Sequence, residues 1–137
     1  MSEPAPGFVK HPSHQVDITP TADHVRILVN ETVIADTTRP LKVLESRHQP
    51  VWYLPLKDVN VDLLVATEHT TYCPFKGHAS YWSIDAAQPQ LENSVWGYQE
   101  PYVECEPLRN HVAFYTDKVV LEVNGEFQNR QGPGGSS

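Results

Sequence analysis

The prolines set the strongest constraint on what this chain can fold into. Twelve of its 137 residues are proline, roughly twice the usual share of about 5%. They are spread between the apolar runs, and a proline interrupts a long helix and cannot donate a hydrogen bond within a central strand. The sequence therefore favours short elements that are joined by rigid turns.

The apolar runs between the prolines are rich in β-branched and aromatic residues, which is typical of strands. Two runs flank Asn30 and Glu31 and predict a hairpin, because asparagine tolerates the positive φ of a tight turn. A second hairpin is predicted around residues 116–118, with a further turn at Asn124 and Gly125. We predict strands over residues 16–19, 25–29, 32–35, 51–54, 78–84, 94–98, 111–115 and 119–123.

Two segments suggest helical turns. Leu41, Leu44 and Glu45 lie at helical spacing after a proline, and residues 61–65 fit either a helical turn or a strand. Long helices that alternate with strands are missing from the pattern, which disfavours a parallel doubly wound sheet. The predicted fold is mainly β: a small antiparallel barrel or a folded two-layer sheet with one or two short helical turns.

The length indicates one domain. Residues 1–13 are rich in proline and poor in apolar groups, so we expect a flexible N-terminal arm. Residues 14–127 form the predicted β-rich domain, and the Gly-, Pro- and Ser-rich residues 128–137 form a predicted flexible C-terminal tail.

Charge and cysteine content exclude several classes of protein. Ten Lys and Arg against 17 Asp and Glu give a net charge of −7, which disfavours a nucleic-acid partner. No apolar run is long enough for a transmembrane helix, and the acidic start does not resemble a signal peptide, so no membrane partner is expected. Because Cys73 and Cys105 are too few for a disulfide scaffold, we predict reduced thiols and a cytoplasmic location.

Reactive side chains are densest over residues 68–82. Pro74 and Gly77 bracket a predicted tight turn with Cys73 and Lys76 at its ends. An ammonium beside a thiol stabilises the thiolate, so Cys73 is the first candidate nucleophile and Lys76 the second. The alternative is a buried structural cysteine beside a lysine that extends to water.

Histidines offer two further roles. His69 and His111 are candidate bases for Cys73, and His69, Cys73 and His78 are ligand types that zinc accepts. No Cys-x-x-Cys pair or nearby fourth ligand completes a zinc motif, so we assign no metal. A Gly-rich phosphate loop and the common hydrolase motifs are also missing from the sequence, which leaves the cofactor unknown.

A loop arginine and a set of aromatic residues suggest a binding site. Arg39 comes before a proline, where a loop can present its guanidinium to a carboxylate or phosphate, although a surface pair with Glu45 is the alternative. The aromatic residues concentrate between positions 52 and 115. Aromatic walls with a few polar groups are typical of small-molecule sites, although such residues also fill cores.

The motifs resemble those of a widespread bacterial and fungal family, domain of unknown function 427, sometimes catalogued as nucleotidyltransferase-like. The resemblance runs from about His14 to about Gly125, and it implies a β-rich single domain without a settled activity. The Gly-Ser loop and paired acidic metal ligands that a nucleotidyltransferase needs are missing. The matching motifs are Val25-Arg26-Ile27, Ala35-Asp36-x-x-Arg39, Leu44-Glu45, Pro50-Val51-Trp52-Tyr53-x-Pro55, Asp58-Val59, Thr71-x-Cys73-Pro74-Phe75-Lys76-Gly77-x-Ala79-x-Tyr81-Trp82, Trp96-x-Tyr98, Pro101 and His111-Val112-Ala113-Phe114-Tyr115.

The resemblance selects the site residues. We predict that the domain binds a small molecule, and an anionic molecule is one option. The domain is expected to be a monomer or a homodimer. The sequence does not decide whether it is an enzyme. The alternative is a noncatalytic protein-interaction module that uses a sheet edge or the loop at residues 73–77. The candidate catalytic residues are Cys73, Lys76 and Glu45, and the candidate ligand-binding residues are Arg39, Tyr53, Tyr81, Trp96 and Tyr98.

Overall fold

A computed structural model describes residues 3–86 and 89–128 of the chain. Within those residues it contains one short α-helix, eleven strands and three 3-10 turns. The helix is α1 (Pro6–Lys10), and the 3-10 turns cover Leu56–Asp58, Val61–Leu63 and Val103–Leu108. The strands are β1 (Val16–Pro20), β2 (Val25–Val29), β3 (Thr32–Thr37), β4 (Leu41–Glu45), β5 (Val51–Pro55), β6 (Leu64–Cys73), β7 (Gly77–Ile84), β8 (Leu91–Gly97), β9 (His111–Phe114), β10 (Val120–Val123) and β11 (Glu126–Gln128).

The strands form two antiparallel sheets. The larger sheet has the order β1-β4-β5-β9-β8-β7-β6, and the smaller has the order β11-β10-β2-β3. The predicted mainly β fold is confirmed in its folded two-layer form. The barrel option is not, because β1 and β6 stand at opposite ends of the larger sheet and leave it open.

The first predicted hairpin and the late turn are confirmed. β2 and β3 pair across Asn30 and Glu31, whose φ angles are 50° and 68°. Positive φ at both central residues is what a tight hairpin turn requires. β10 and β11 pair across Asn124 and Gly125, whose φ angles are 54° and 84°.

The helical turn predicted at Leu41 to Glu45 is wrong. This segment is β4, which pairs with β1 on one side and β5 on the other. Leu41 and Val43 are buried while Leu44 is exposed, so burial follows the two-residue period of a strand. Pairing on both sides outweighs the local spacing that favoured a helix. Residues 61–65 divide between a 3-10 turn and the start of β6.

The second predicted hairpin is also wrong. β9 pairs with β5 and β8 in the larger sheet, whereas β10 pairs with β2 and β11 in the smaller one. Residues 115–119 therefore carry the chain from one sheet to the other. A turn signal specifies a reversal of direction, but the burial needs of each strand decide which strand it pairs with.

Side chains on the two faces of the larger sheet enter two different clusters. Neighbouring residues such as Tyr53 and Leu54 point to opposite faces. The aliphatic core lies between the sheets and comprises Val25, Ile27, Val29, Ile34, Ala35, Leu54, Val59, Ile84, Val95, Val112, Phe114, Val119 and Leu121. The aromatic core lies on the other face and comprises Leu41, Val43, Tyr53, Ala79, Tyr81, Trp96, Tyr98, Cys105, Leu108 and Ala113.

Residues 3–14 of the N-terminal segment pack against the turn between β6 and β7. The Gly7 N–H donates to the Pro74 carbonyl at 2.9 Å, and the Phe8 ring lies 4.9 Å from that of Phe75. A side chain at position 7 would meet Phe75 at 2.7 Å, so glycine allows this approach. The predicted domain limits stay predictions; residues 1–2 of the predicted arm and 129–137 of the predicted tail lie outside the described residues.

Candidate functional site

A cavity of about 140 Å³ opens beside the aromatic core. β4 and β5 supply two lining residues each, β7 and β8 supply one each, and the turn between β6 and β7 supplies Lys76. Because strand side chains alternate, Val43 and Glu45 on β4 point the same way, as do Val51 and Tyr53 on β5. The lining residues are Val43, Glu45, His48, Gln49, Val51, Tyr53, Lys76, Tyr81, Trp96, Tyr98 and Tyr115.

A largely buried ion pair lies at one end of the cavity. The Lys76 ammonium donates to Glu45 Oε1, and the side chains of Lys76 and Glu45 are only 8% and 15% exposed. His14 Nε2 bonds the other carboxylate oxygen at 2.8 Å. Burial opposes ionisation of Glu45, but the charge and hydrogen bonds of Lys76 and His14 outweigh it and lower the pKa of the carboxyl. Glu45 is therefore a carboxylate at neutral pH.

Two buried phenols form the floor of the site. Trp96 Nε1–H donates to the hydroxyl of Tyr53 at 3.1 Å. Burial raises the pKa of Tyr53 well above its usual range, although the bond from Trp96 opposes that shift. Burial likewise raises the pKa of Tyr98. Both phenols stay protonated at physiological pH and are available as hydrogen-bond donors.

The far wall is a second polar and aromatic group. The hydroxyls of Tyr81 and Thr71 are 3.0 Å apart, and the His69 ring lies 4.5 Å from the Tyr81 ring. Tyr115 packs on Trp96 with ring centroids 4.6 Å apart. Burial and the neighbouring Tyr81 together raise the pKa of Tyr115. The wall therefore combines stacking surface with neutral hydroxyl groups.

Most of the residues selected from the sequence come together here. They come from four separate segments of the chain. β4, β5, β7 and β8 belong to one sheet, and these side chains project from the same face of it. The selected residues that line the cavity are Glu45, Tyr53, Lys76, Tyr81, Trp96 and Tyr98.

Arg39 does not join them. Its side chain is 60% exposed and reaches Asp58 at 3.5 Å, where Thr37 also bonds Asp58. Thr37 ends β3, and Asp58 ends the first 3-10 turn. The structure thus gives Arg39 a partner other than the predicted Glu45.

The two cysteines are not among the residues that line the cavity. Cys73 is half-buried and packs against the aromatic core. The Lys76 ammonium, expected beside the Cys73 thiol, is bound to Glu45 instead. Burial raises the pKa of Cys105 to about 11, so this thiol stays protonated.

A family model described as a domain of unknown function (DUF427) matches residues 17–125, well over half of the chain. This chain belongs to the DUF427 family. The resemblance inferred from the motifs is thereby confirmed, while no curated protein matches the chain. The matched DUF427 range includes all the lining residues, whereas His14 comes before it.

The site residues selected from the sequence omit His14 and five lining residues of this DUF427 domain, which are Val43, His48, Gln49, Val51 and Tyr115. His14 reaches Glu45 across 31 positions in the chain, and no local pattern signals such a contact. Its ring stacks on Phe75 at 3.9 Å, so it also fixes the turn that carries Lys76. Gln49 lies in the loop after β4, and the mistaken helical turn gave no reason to place it near the aromatic residues.

The three histidines that were considered as bases or zinc ligands each have different neighbours. The His78 ring packs on Tyr72 at 4.8 Å, while that of His69 packs on Tyr81. His111 bonds the Arg109 carbonyl at 2.9 Å. Across residues 3–86 and 89–128 there is no group of three or more His, Cys, Asp or Glu side chains that could hold a metal. In the same ranges no helix is long and apolar enough to cross a membrane.

A second, larger depression of this DUF427 domain measures about 430 Å³. It is an open surface groove, and neither Glu45 nor Lys76 lines it. The smaller cavity is the better candidate site, because ligand sites combine enclosure, apolar walls and a few convergent polar groups. The groove is lined by Glu3, Gly77, His78, Ser80, Gln99, Glu100, Pro101 and Tyr102.

Proposed function

We propose that this domain binds a small molecule in the cavity of the aromatic core. Tyr53, Tyr81, Trp96 and Tyr98 form the walls in this proposal, and the pair of Lys76 and Glu45 forms the polar end. The supporting observation is that this ion pair, though largely buried, borders empty space rather than packed side chains. Interiors are close-packed, and a buried ion pair is often no better for stability than apolar residues. The arrangement is thus typical of a binding site.

The size of the cavity limits the ligand. An engineered protein cavity of about 150 Å³ accepts benzene, so a volume of about 140 Å³ suits a molecule of roughly six to ten non-hydrogen atoms. A whole nucleotide exceeds that volume. The nucleotidyltransferase-like label of the family therefore gains no support from the cavity.

Cys73, Lys76 and Glu45 stay the candidates for chemistry on a bound molecule. Glu45 is the candidate base, because it is ionised and lines the cavity, and the pairing with Lys76 that lowers its pKa also weakens it as a base. Cys73 does not line the cavity, so as a nucleophile it needs a ligand that extends beyond the lining residues. Replacing Cys73 by serine tests this role: unchanged turnover of a substrate removes Cys73 as the nucleophile.

Native mass spectrometry after incubation with a small-metabolite extract tests the binding proposal. Gln49 is exposed at the mouth, so Gln49→Trp should block entry at little cost to the fold. Arg39→Ala, remote from the cavity, is the matched control. We expect added mass on the wild type and Arg39→Ala but not on Gln49→Trp. Equal retention by all three proteins, or by none, would contradict the proposal.

One observation favours a second candidate function, which is protein binding along β6. This ten-residue strand forms an edge of the larger sheet, and Val65 and Tyr72 on it are exposed. An exposed edge can receive a strand from a partner protein. A pull-down with wild type and Thr70→Pro tests this function: a stoichiometric partner should be captured only by the wild type.

A further inference from the structure

The hydroxyl of Tyr98 lacks a protein partner. The residue is only 7% exposed, yet no hydrogen bond to this hydroxyl occurs among the described residues. Tyr98 lines the cavity together with Tyr53, Tyr81 and Glu45. The hydroxyl is not sealed from open space, because the fully buried side-chain polar atoms without a partner among the described residues are Arg26 Nε and Thr116 Oγ1. A hydroxyl that meets open space rather than a protein acceptor is available to donate to a bound molecule. The cavity is where a bound molecule would supply an acceptor.

The Tyr53 hydroxyl provides a second proton without a protein acceptor among the described residues. Its oxygen accepts the N–H of Trp96, which leaves its own O–H free to donate. Among the described residues no acceptor lies within hydrogen-bonding distance of that proton. Two neighbouring phenols thus offer donors to the cavity, and neither ionises at physiological pH.

At the polar end Lys76 and Glu45 offset each other's charge. Lys76 is bound to Glu45, and the second oxygen of that carboxylate is bound to His14. His48, also on the lining, donates its Nδ1–H to the Ser46 carbonyl at 2.7 Å. An anionic ligand would lie near the Glu45 carboxylate without an unpaired lysine or arginine on the lining to offset its charge.

We propose that the ligand is an uncharged molecule whose carbonyl oxygen accepts hydrogen bonds from Tyr98 and Tyr53 while its apolar part packs on Trp96 and Tyr81. This inference rests on the proposed function and narrows it to one chemical class. It replaces the anionic option, which assigned the anionic group to Arg39 and Lys76, because Arg39 is bound to Asp58 and does not line the cavity and Lys76 is bound to Glu45.

Four ring compounds of similar size test the proposal. Acetophenone carries the carbonyl acceptor, ethylbenzene lacks it, benzoate is anionic and benzylamine is cationic. Dissociation constants come from titrations that follow the indole N–H signal of Trp96 by NMR. We expect acetophenone to bind more tightly than the other three to the wild type, and none of the four to bind Gln49→Trp.

Substitution of Tyr98, one of the two proposed donors, is the second test. Tyr98→Phe removes one hydroxyl and keeps the ring, so acetophenone should bind about threefold to tenfold more weakly while ethylbenzene is unaffected. Tighter binding of benzoate or benzylamine, or equal binding of ethylbenzene, would overturn this inference and leave the cavity proposal standing. If no compound moves the Trp96 signal of the wild type, or if Gln49→Trp binds them equally, the cavity proposal itself fails.

Discussion

The aliphatic core and the aromatic core are built from the same strands but differ in composition and packing. β5 gives Leu54 to the first and Tyr53 to the second, and β8 divides Val95 and Trp96 in the same way. Cavities of about 10 and 120 Å³ adjoin residues of the aliphatic core, and one of about 140 Å³ adjoins the aromatic core. Of these three cavities only the last is lined by an ion pair, so the two cores differ in the chemistry of the space beside them.

The chemistry of the two cores differs accordingly. The aliphatic core lies between the two sheets, and its buried members have no hydrogen-bonding side chains. The aromatic core adjoins four phenols, an indole and the pair of Glu45 and Lys76. Since burial of apolar area is the dominant source of stability, we infer that the aliphatic core stabilises the fold and the aromatic core is free to serve a ligand.

The largest expected effect comes from the aliphatic core. Leu54→Ala removes a fully buried side chain between the sheets and should lower the free energy of unfolding by about 2–5 kcal/mol in urea titrations. Leu44→Ala is the control, because Leu44 is 43% exposed and should cost less than about 1 kcal/mol. Equal losses of unfolding free energy at the two sites would contradict the distinction between the buried core and the exposed surface.

The ion pair gives the next largest effect. Lys76→Met leaves the Glu45 carboxylate buried with His14 alone, and we expect a loss of about 3 kcal/mol in the free energy of unfolding. Adding Glu45→Gln to that variant should restore most of the loss, because no uncompensated charge then stays buried. A double variant as unstable as Lys76→Met would show that packing of the lysine stem, rather than charge, explains the loss.

The contrast between the cores also explains what the sequence could predict. Local signals predict the structure correctly where one residue type decides it. Asn30 and Asn124 are examples, because both adopt positive φ angles and lie in the predicted turns. The concentration of aromatic residues likewise pointed to Tyr53 and Trp96. These predictions rest on intrinsic properties of single residues and depend little on the rest of the chain.

Long-range pairing could not be read in the same way. β4 looked helical because its spacing fits both periods, and only its pairing with β1 and β5 makes it a strand. His14 reaches the site because the N-terminal segment packs on the turn that carries Phe75. Arg39 sits in a matching motif, yet β3 ends on the far side from the cavity lining, and its partner is Asp58. Partners distant in sequence decided each of these outcomes.

The pH dependence of stability tests the polar end of the aromatic core. The pKa of Glu45 in the folded protein lies below its ordinary value of 4.5, so its ionisation stabilises the fold above that pH. This contribution should be lost as the pH falls through the lowered pKa. The free energy of unfolding of the wild type and of Glu45→Gln is therefore measured from neutral pH downward. We expect the wild type to be the more stable protein, and the difference to shrink below pH 4.5. A constant difference would mean that the lowered pKa is not a feature of the folded state.

The smallest expected effect separates two phenols of the same core. Tyr53→Phe leaves the buried N–H of Trp96 without its acceptor and should cost about 1–3 kcal/mol. Tyr98→Phe removes a hydroxyl without a protein partner among the described residues, so the free energy of unfolding should change by less than about 0.5 kcal/mol or rise slightly. Thermal or urea unfolding of both variants without ligand makes the comparison. If Tyr98→Phe is as costly as Tyr53→Phe, its hydroxyl serves the fold, and the aromatic core is then closer in role to the aliphatic core than the cavity suggests.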